Sequence, residues 1–539
     1  MSEKMMENVN NDNDYVIESF FKSVQECPPE IEANVTGSIP DWLNGSLIRL
    51  GPGKWDLKDG FTLNHWLDGC AILVRFRFNR GQVFYSSRFV DSDAYRKMTT
   101  VHKPIYTEFG TRAYPDPSKS VLSRMLSRVV PSDLTDNDIS NIYMLNDDLF
   151  VATESCNIWK IEAKTLHSLE KINLDKVVGV NLSSSHPLYS KSDGCYYNVG
   201  TSFLTGMRYQ IYKVPRQSTV NSAESINAFR SSTIICTIPS SWKTCFSYVH
   251  SFAMSINYII IIEQPLVVNA FKLATCTAKG KSLEECLEWR PEESTKFHII
   301  DKNTGRELKV RYESDAFFFF HVINAYEQDG YIILDMIAYD DVSILEKYHI
   351  KRLRRNEWSE KSPPIARRFV FPLETRLSND ESINMVQIDG FTSSAHRRGD
   401  GAVWLTWEEL APPGFETPTV NSAYSGLKHR YIYGSGTFEK GYFANSVCKV
   451  DCEAKTVKKW TDTQHTYPGE AFFVPKPGCI SEDDGVILTA VMQGDSDKGH
   501  YLGVLDATNM QEMARAVLPR ATCQFPPTIH GIFLPGEDE

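Results

Sequence analysis

Four histidines, His186, His250, His321 and His530, lie in apolar, strand-like surroundings, and three of them recur at the same place in a repeated pattern. Neutral imidazole is a common ligand for first-row transition metals. Four imidazoles brought together would therefore form one metal site without any short ligand motif in the sequence. The segments are SHPLYSKSDGCYYNVG, VHSFAMSINYIIII and FHVINAYEQDGYIILDMI. In each, a histidine is followed by six or seven residues, a turn pair (Asp193-Gly194, Asn257-Tyr258, Asp329-Gly330) and an apolar run rich in β-formers. Turn residues between two hydrophobic runs mark a hairpin, so each histidine takes an equivalent position on the first strand of a similar hairpin. Taken singly, any one of them reads more readily as a core histidine satisfied by hydrogen bonds. The shared phase is harder to explain that way, and the repeat alone leaves both readings open.

The elements that would carry these residues follow from the spacing. His186 and His250 are 64 residues apart, His250 and His321 are 71 apart, and His530 lies 209 beyond His321, close to three more such units. Asp147-Asp148, Asp400-Gly401 and Asp484-Gly485 mark further turns before the runs LFVATE, AVWLTW and VILTAVM. A repeat of roughly 70 residues built from short strands is what a solenoid or a propeller looks like in sequence. About seven units fill most of the 539 residues. The expected fold is all-β, a seven-bladed β-propeller over residues 34–539 preceded by a polar N-terminal extension, 1–33. In a propeller, equivalent inner positions converge on the axis, which is where four histidines would meet.

Composition permits this and excludes rivals. A net charge of −11 and a pI near 5.7 do not favour a nucleic-acid partner. The twelve cysteines contain no CxxC pair, Cys448 and Cys452 being the nearest neighbours. The N-terminus MSEKMMENVNNDNDY lacks the basic and apolar regions of a secretory signal. Free thiols in a reducing cytoplasm are the expectation. No apolar run approaches the roughly 20 residues of a membrane span; the run YIIII at 258–262 is closed by Glu263 and Pro265 and reads as a buried strand.

One segment suits a membrane surface. On a helix over 118–130, Val121, Leu122, Met125, Leu126, Val129 and Val130 fall on one half of the wheel and Ser123, Arg124, Ser127 and Arg128 on the other. A short cationic amphipathic helix can lie among lipid headgroups or pack its apolar face on the domain. At the mouth of a tunnel it would admit a lipid-dissolved substrate.

The chain resembles the carotenoid cleavage oxygenase family from about Asn34 to Phe533. Beyond the histidines, the likeness rests on PDWLNGSLIRLGPG at 40–53, NHWLDGCAILVRFRF at 64–78, SYVHSF at 247–252, HTYPGEAFFVP at 465–475, EDDGVILTAV at 482–491 and TIHGIF at 528–533. The most similar branch is the animal retinoid-forming one, which includes β-carotene oxygenases, insect carotenoid isomerooxygenases and the retinoid isomerohydrolase. The resemblance implies a seven-bladed propeller with a helical and loop cap over a substrate tunnel. It implies non-haem Fe2+ held by His186, His250, His321 and His530. It further implies three outer carboxylates: Glu154 on His250, Glu416 on His321 and Glu470 on His530, with His186 left without one. A carboxylate that accepts the other N–H of a ligating imidazole fixes its tautomer and raises its basicity.

Four neutral ligands leave a ferrous ion its full charge and up to two open, adjacent positions, room for dioxygen beside a conjugated double bond. The implied reaction splits that bond into two aldehydes with no flavin, nicotinamide or 2-oxoglutarate. The implied partners are a carotenoid, dioxygen and a peripheral membrane surface. Aromatic runs such as FFFF at 317–320 suit a ring-lined tunnel. The chain departs from the isomerohydrolase at Ser118, where that branch carries a lipid-modified cysteine. This favours oxidative cleavage, with trans-to-cis isomerisation of one half, over hydrolysis of a retinyl ester. The complete set of four histidines and three glutamates argues against a silent carotenoid-binding propeller. His65 and His465 fall off the repeat phase and are expected to be structural.

Overall fold

In the computed structural model, residues 17–118, 135–203, 206–216, 226–357, 362–436, 445–463, 465–494, 497–520 and 524–536 are described. The docking segment expected at 118–130 lies outside them from residue 119 on; Ser118 turns its hydroxyl and amide onto Asp116.

Short antiparallel strands follow one another in sheets of neighbouring sequence. Asn141–Leu145, Asp148–Ala152, Asn157–Ile161 and Ser168–Asn173 form one such sheet in order. Cys195–Ser202, Arg208–Pro215 and Thr233–Pro239 carry the next. Val322–Gln328, Tyr331–Ala338 and Ile365–Pro372 form another, and Phe415–Thr419, Tyr431–Gly436, Ser446–Asp451 and Thr456–Trp460 the one after it. The chain ends are stitched together. His530–Pro535 pairs with Gly45–Pro52, and Asn34–Gly37 pairs with Glu512–Val517. His530–Pro535 touches both Asn141–Leu145 and Phe472–Pro475, so the sheet of Gly45–Pro52 packs on both of these neighbours.

Apolar residues from both faces fill the gaps between sheets. Tyr258–Glu263 is a run of isoleucines because both of its faces are covered: Ile260 and Ile262 pack toward Tyr331 and Phe369, Ile259 and Ile261 toward Tyr197 and Tyr209. A strand buried on both sides reads as a continuous hydrophobic run for this reason.

The hairpins expected from the turn pairs form. Leu188–Ser190, Ala253–Met254 and Val322–Gln328 each pair with the apolar strand that follows. At Asp329-Gly330 both residues have positive φ, 52° and 84°, the conformation of a two-residue type I′ turn. The hairpin at Asp400-Gly401 behaves differently. Ala395–Arg397 and Val403–Leu405 join the sheet of Thr295–Asp301 through a parallel pairing with Tyr312–Ser314, and so do not begin a unit of their own. The strands from Phe415 to Trp460 form that unit instead.

Two further expectations need correction. The folded body starts before Asn34: Ile17, Phe20 and Phe21 are buried in the core, and Cys27–Glu32 pairs with Gln82–Phe89. That strand carries Pro28 and Pro29, which an edge strand tolerates because one side of it needs no donors. Among the described residues ten cysteines are free thiols, but Cys27, at the start of this edge strand, is disulfide-bonded.

Candidate metal centre

The site residues sit in breaks or at the ends of inner strands, where these reach the centre. His186 lies between Leu182–Ser183 and Leu188–Ser190, both of which pair with Cys195–Ser202. His250 lies between Cys245–Ser247 and Ala253–Met254, and His321 immediately precedes Val322–Gln328. Glu470 occupies the gap between Thr466–Pro468 and Phe472–Pro475, which share the partner Gly485–Gln493. His530 begins its strand opposite Leu50. A residue outside the ladder is free to turn inward without breaking the pleat's alternation.

The four histidines meet. Nε2 of His186 is 3.0 Å from Nε2 of His250, which is 3.3 Å from Nε2 of His321, which is 3.0 Å from Nε2 of His530. All four ligand atoms lie within 4.8 Å of one another. Metal–imidazole bonds of about 2.0–2.1 Å put ligands at right angles about 3.0 Å apart, so the cluster has the dimensions of one coordination sphere.

The other ring nitrogens show what the centre holds. Nδ1 of His250 is 2.9 Å from Glu154, Nδ1 of His321 is 2.6 Å from Glu416, and Nδ1 of His530 is 2.7 Å from Glu470. A carboxylate accepts, so these Nδ1 atoms carry the hydrogen and the three Nε2 atoms present lone pairs to one another. Lone pairs facing across 3 Å repel unless a cation lies between them, and the residues fit such an ion. His186 faces the Asn141 side-chain amide at 3.2 Å and has no carboxylate.

Burial and charge act together here. Burial, and then the neighbouring imidazoles, push His186 well below the ordinary histidine range; burial likewise lowers His530. Burial also opposes the charged form of His321, but Glu416 outweighs it and raises that group. The three glutamates resist burial: His250, His321, and Arg49 with His530 hold Glu154, Glu416 and Glu470 respectively below the usual carboxylate range.

Further partners fix the carboxylates. Ser185 Oγ donates to Glu154 at 2.7 Å, Tyr339 Oη to Glu416 at 2.9 Å, and the Arg49 guanidinium is paired with Glu470. None of Asn141, Ser185, Tyr339 or Arg49 is singled out by sequence reasoning. Arg49 stands in the motif PDWLNGSLIRLGPG, where an arginine flanked by leucines is the available signal.

Three clefts reach the centre. One reaches Glu154 and is walled by Leu67, Phe109, Phe246 and Leu273. Another reaches Glu416 and Glu470 and is walled by Trp66, Tyr348, Tyr467 and Phe525. A smaller one is lined by His186, His321 and His530 themselves. The FFFF run contributes to none of them: Phe317 and Phe319 pack between sheets, and Phe320 lies against the ring of His250 at 5.3 Å. His65 is apart from the cluster; it is fully buried, its Nε2 3.0 Å from the Leu345 carbonyl.

A family profile described as retinal pigment epithelial membrane protein matches residues 20–535. The human mitochondrial carotenoid-cleaving dioxygenase is 38% identical over 534 residues, covering 95% of this chain and 90% of that one. The rat β,β-carotene 15,15′-dioxygenase is 36% identical over 525 residues, covering 96% and 91%. Among solved structures, a Synechocystis apocarotenoid oxygenase superposes with a TM-score of 0.75 at 22% identity, covering 97% of this chain and 99% of that one.

Proposed function

This chain belongs to the retinal pigment epithelial membrane protein family, and from that premise we propose that it is a non-haem Fe2+ dioxygenase cleaving the central 15,15′ double bond of a carotenoid into two retinal-type aldehydes. The observation that carries this reading is the set of four Nε2 atoms, three of them aimed inward by Nδ1–carboxylate hydrogen bonds. The proposed fold is a seven-bladed propeller, the four histidines coming from four blades.

When bound, ferrous iron supplies the electron chemistry that lets dioxygen react with a closed-shell polyene. The chain supplies everything else. His186, His250, His321 and His530 would hold the ion, all as neutral ligands. Glu154, Glu416 and Glu470 keep the rings in one tautomer and one orientation. The two clefts that reach the glutamates receive the halves of a rod-like substrate on either side of the centre, so the reacting bond is chosen by the depth to which each end enters. Their apolar walls exclude water, which favours the aldehydes as products. Both oxygen atoms of O2 are accounted for, one in each aldehyde. We further propose that one half rotates from trans to cis while its bond order is lowered, and that the cleft traps the bent isomer.

No helix among the described residues is long and apolar enough to cross a membrane. The proposed route for the substrate is from a membrane surface docked by residues 118–130, with the body of the protein in the cytoplasm.

Chromatography of the products under labelled dioxygen tests the reading. Two C20 aldehydes, each with one labelled oxygen, support central cleavage, and equal amounts of 11-cis and all-trans aldehyde support coupled isomerisation. A retinol formed from retinyl ester without dioxygen would overturn both.

A further inference from the structure

We propose that Glu108 is a specificity-determining residue: from the wall of the cleft beside Glu154 its carboxyl forms a hydrogen bond to a hydroxyl or carbonyl oxygen on the end group of the bound polyene. The proposal rests on the reading of that cleft as a carotenoid site.

Glu108 lines the cleft yet is only 2% exposed. Its backbone is fixed from both sides, its N–H donating to Thr111 and its carbonyl accepting from Leu283. One side-chain oxygen accepts from Thr135 Oγ1 at 2.9 Å. No basic side chain among the described residues forms an ion pair with it. The charged groups closest in effect are two more acids, Asp68 and Asp136. Both of those are saturated with donors. Asp68 accepts from the amides of His65 and Gly110 and from the Thr111 hydroxyl. Asp136 accepts from the amides of Asp93 and Ala94, from Trp159 Nε1 and from Lys171. Of the three, Glu108 alone has donors in short supply and faces the cleft.

Burial, then the charge of Asp68, pushes its carboxyl well above the usual range. A carboxyl held neutral in an apolar site is a hydrogen-bond donor. A buried donor without an acceptor is unfavourable until a ligand oxygen meets it. A hydrocarbon end group has no such oxygen; an oxygenated ring does.

The position suits an end group. Thr135, Asn137, Ile139 and Ser140 line the cleft from one continuous segment, with Thr135 bonded to Glu108 and Ser140 Oγ 3.3 Å from Glu154. Five residue steps span at most about 17 Å. Glu108 is thus at one end of that segment and the carboxylate of the His250 pair at the other, so a polyene with its reacting bond at the centre carries its end group toward Glu108.

The test compares wild type, Glu108→Leu and Glu108→Gln on β-carotene and on its ring-hydroxylated counterpart, zeaxanthin. It reads kcat/KM for cleavage and, separately, binding to metal-free protein by tryptophan quenching. The expected result is that Glu108→Leu lowers the preference for the hydroxylated over the hydrocarbon ligand about tenfold in both readouts. Glu108→Gln, whose amide still donates, keeps most of it. A ratio unmoved in Glu108→Leu, or moved equally in both variants, overturns the assignment. If wild type cleaves neither ligand, the dioxygenase reading fails while the binding ratio still decides the role of Glu108; should Glu108→Leu not fold, Glu108→Ala, which also removes the donor, takes its place.

Discussion

Arg49 and Glu470, 421 residues apart in sequence, form a buried ion pair whose members are 1% and 5% exposed. The same guanidinium donates to Thr528 Oγ1 at 3.2 Å and to the Ile529 carbonyl at 3.0 Å. Arg49 therefore holds both the carboxylate that orients His530 and the chain that leads into His530. Among the described residues it is the one cation paired with the centre's three carboxylates, and it offsets part of their charge.

Removing one member of such a pair leaves an uncompensated buried charge, which typically costs about 3–5 kcal/mol. Arg49→Met should destabilise metal-free protein by roughly that amount in urea unfolding, and Arg49→Met/Glu470→Gln should recover a large part of it. Additive losses in the double variant would show that the two residues are not coupled.

Glu416 accepts from His321 Nδ1, from Tyr339 Oη and from the Thr417 amide. Glu416→Gln preserves shape but weakens the hold on the imidazole tautomer, so iron affinity or rate should fall about 10–100-fold. Asn141→Ala, which removes no carboxylate, should have the smaller effect. Iron titration of the two variants side by side checks this, and equal losses would contradict it.

His298 lies between Glu263, which is fully buried, and Glu307, with contacts of 3.3 and 2.7 Å. Burial opposes its charge, but the two carboxylates prevail and raise it to about 9, while His298 and the Ser241 contacts hold Glu263 down to about 2 against burial. A raised folded-state histidine contributes stability that is present below its unfolded value near 6.5 and lost as pH rises through about 9. Thermal stability should therefore fall between pH 6.5 and 9, by on the order of 2–3 kcal/mol. His298→Gln should remove that dependence; an identical pH profile in the variant would refute it.

Leu122 and Leu126 lie on the apolar half of the docking segment read from the sequence. Replacing both with Glu puts two charges on that face and should shift the protein from liposomes to the supernatant in a flotation assay. Undiminished liposome binding would mean that the segment does not dock.

The legible and illegible parts of this protein divide along physical lines. His186, His250 and His321 could be grouped because each precedes a turn whose chemistry is local, such as the type I′ turn at Asp329-Gly330. Glu154, Glu416 and Glu470 carry no local signal and were reached through family resemblance. Arg49, Tyr339 and Asn141 act across sheets, where partner choice depends on how distant segments close. The pairing of Gly45–Pro52 with His530–Pro535 is of the same kind. The strand Cys27–Glu32 was hidden by its prolines, and the hairpin at Asp400-Gly401 by a parallel pairing that turn residues do not encode.

In the proposed mechanism four imidazoles from four sheets hold one ferrous ion on which cleavage depends. Stepwise addition of Fe2+ to metal-free protein, with cleavage of β-carotene followed in air at each step, tests it most directly. Activity should rise in proportion to iron and level at one ion per chain, and a folded His321→Ala variant should bind little iron and stay inactive. Full activity without added iron, or a folded His321→Ala variant with wild-type iron content and rate, would contradict it.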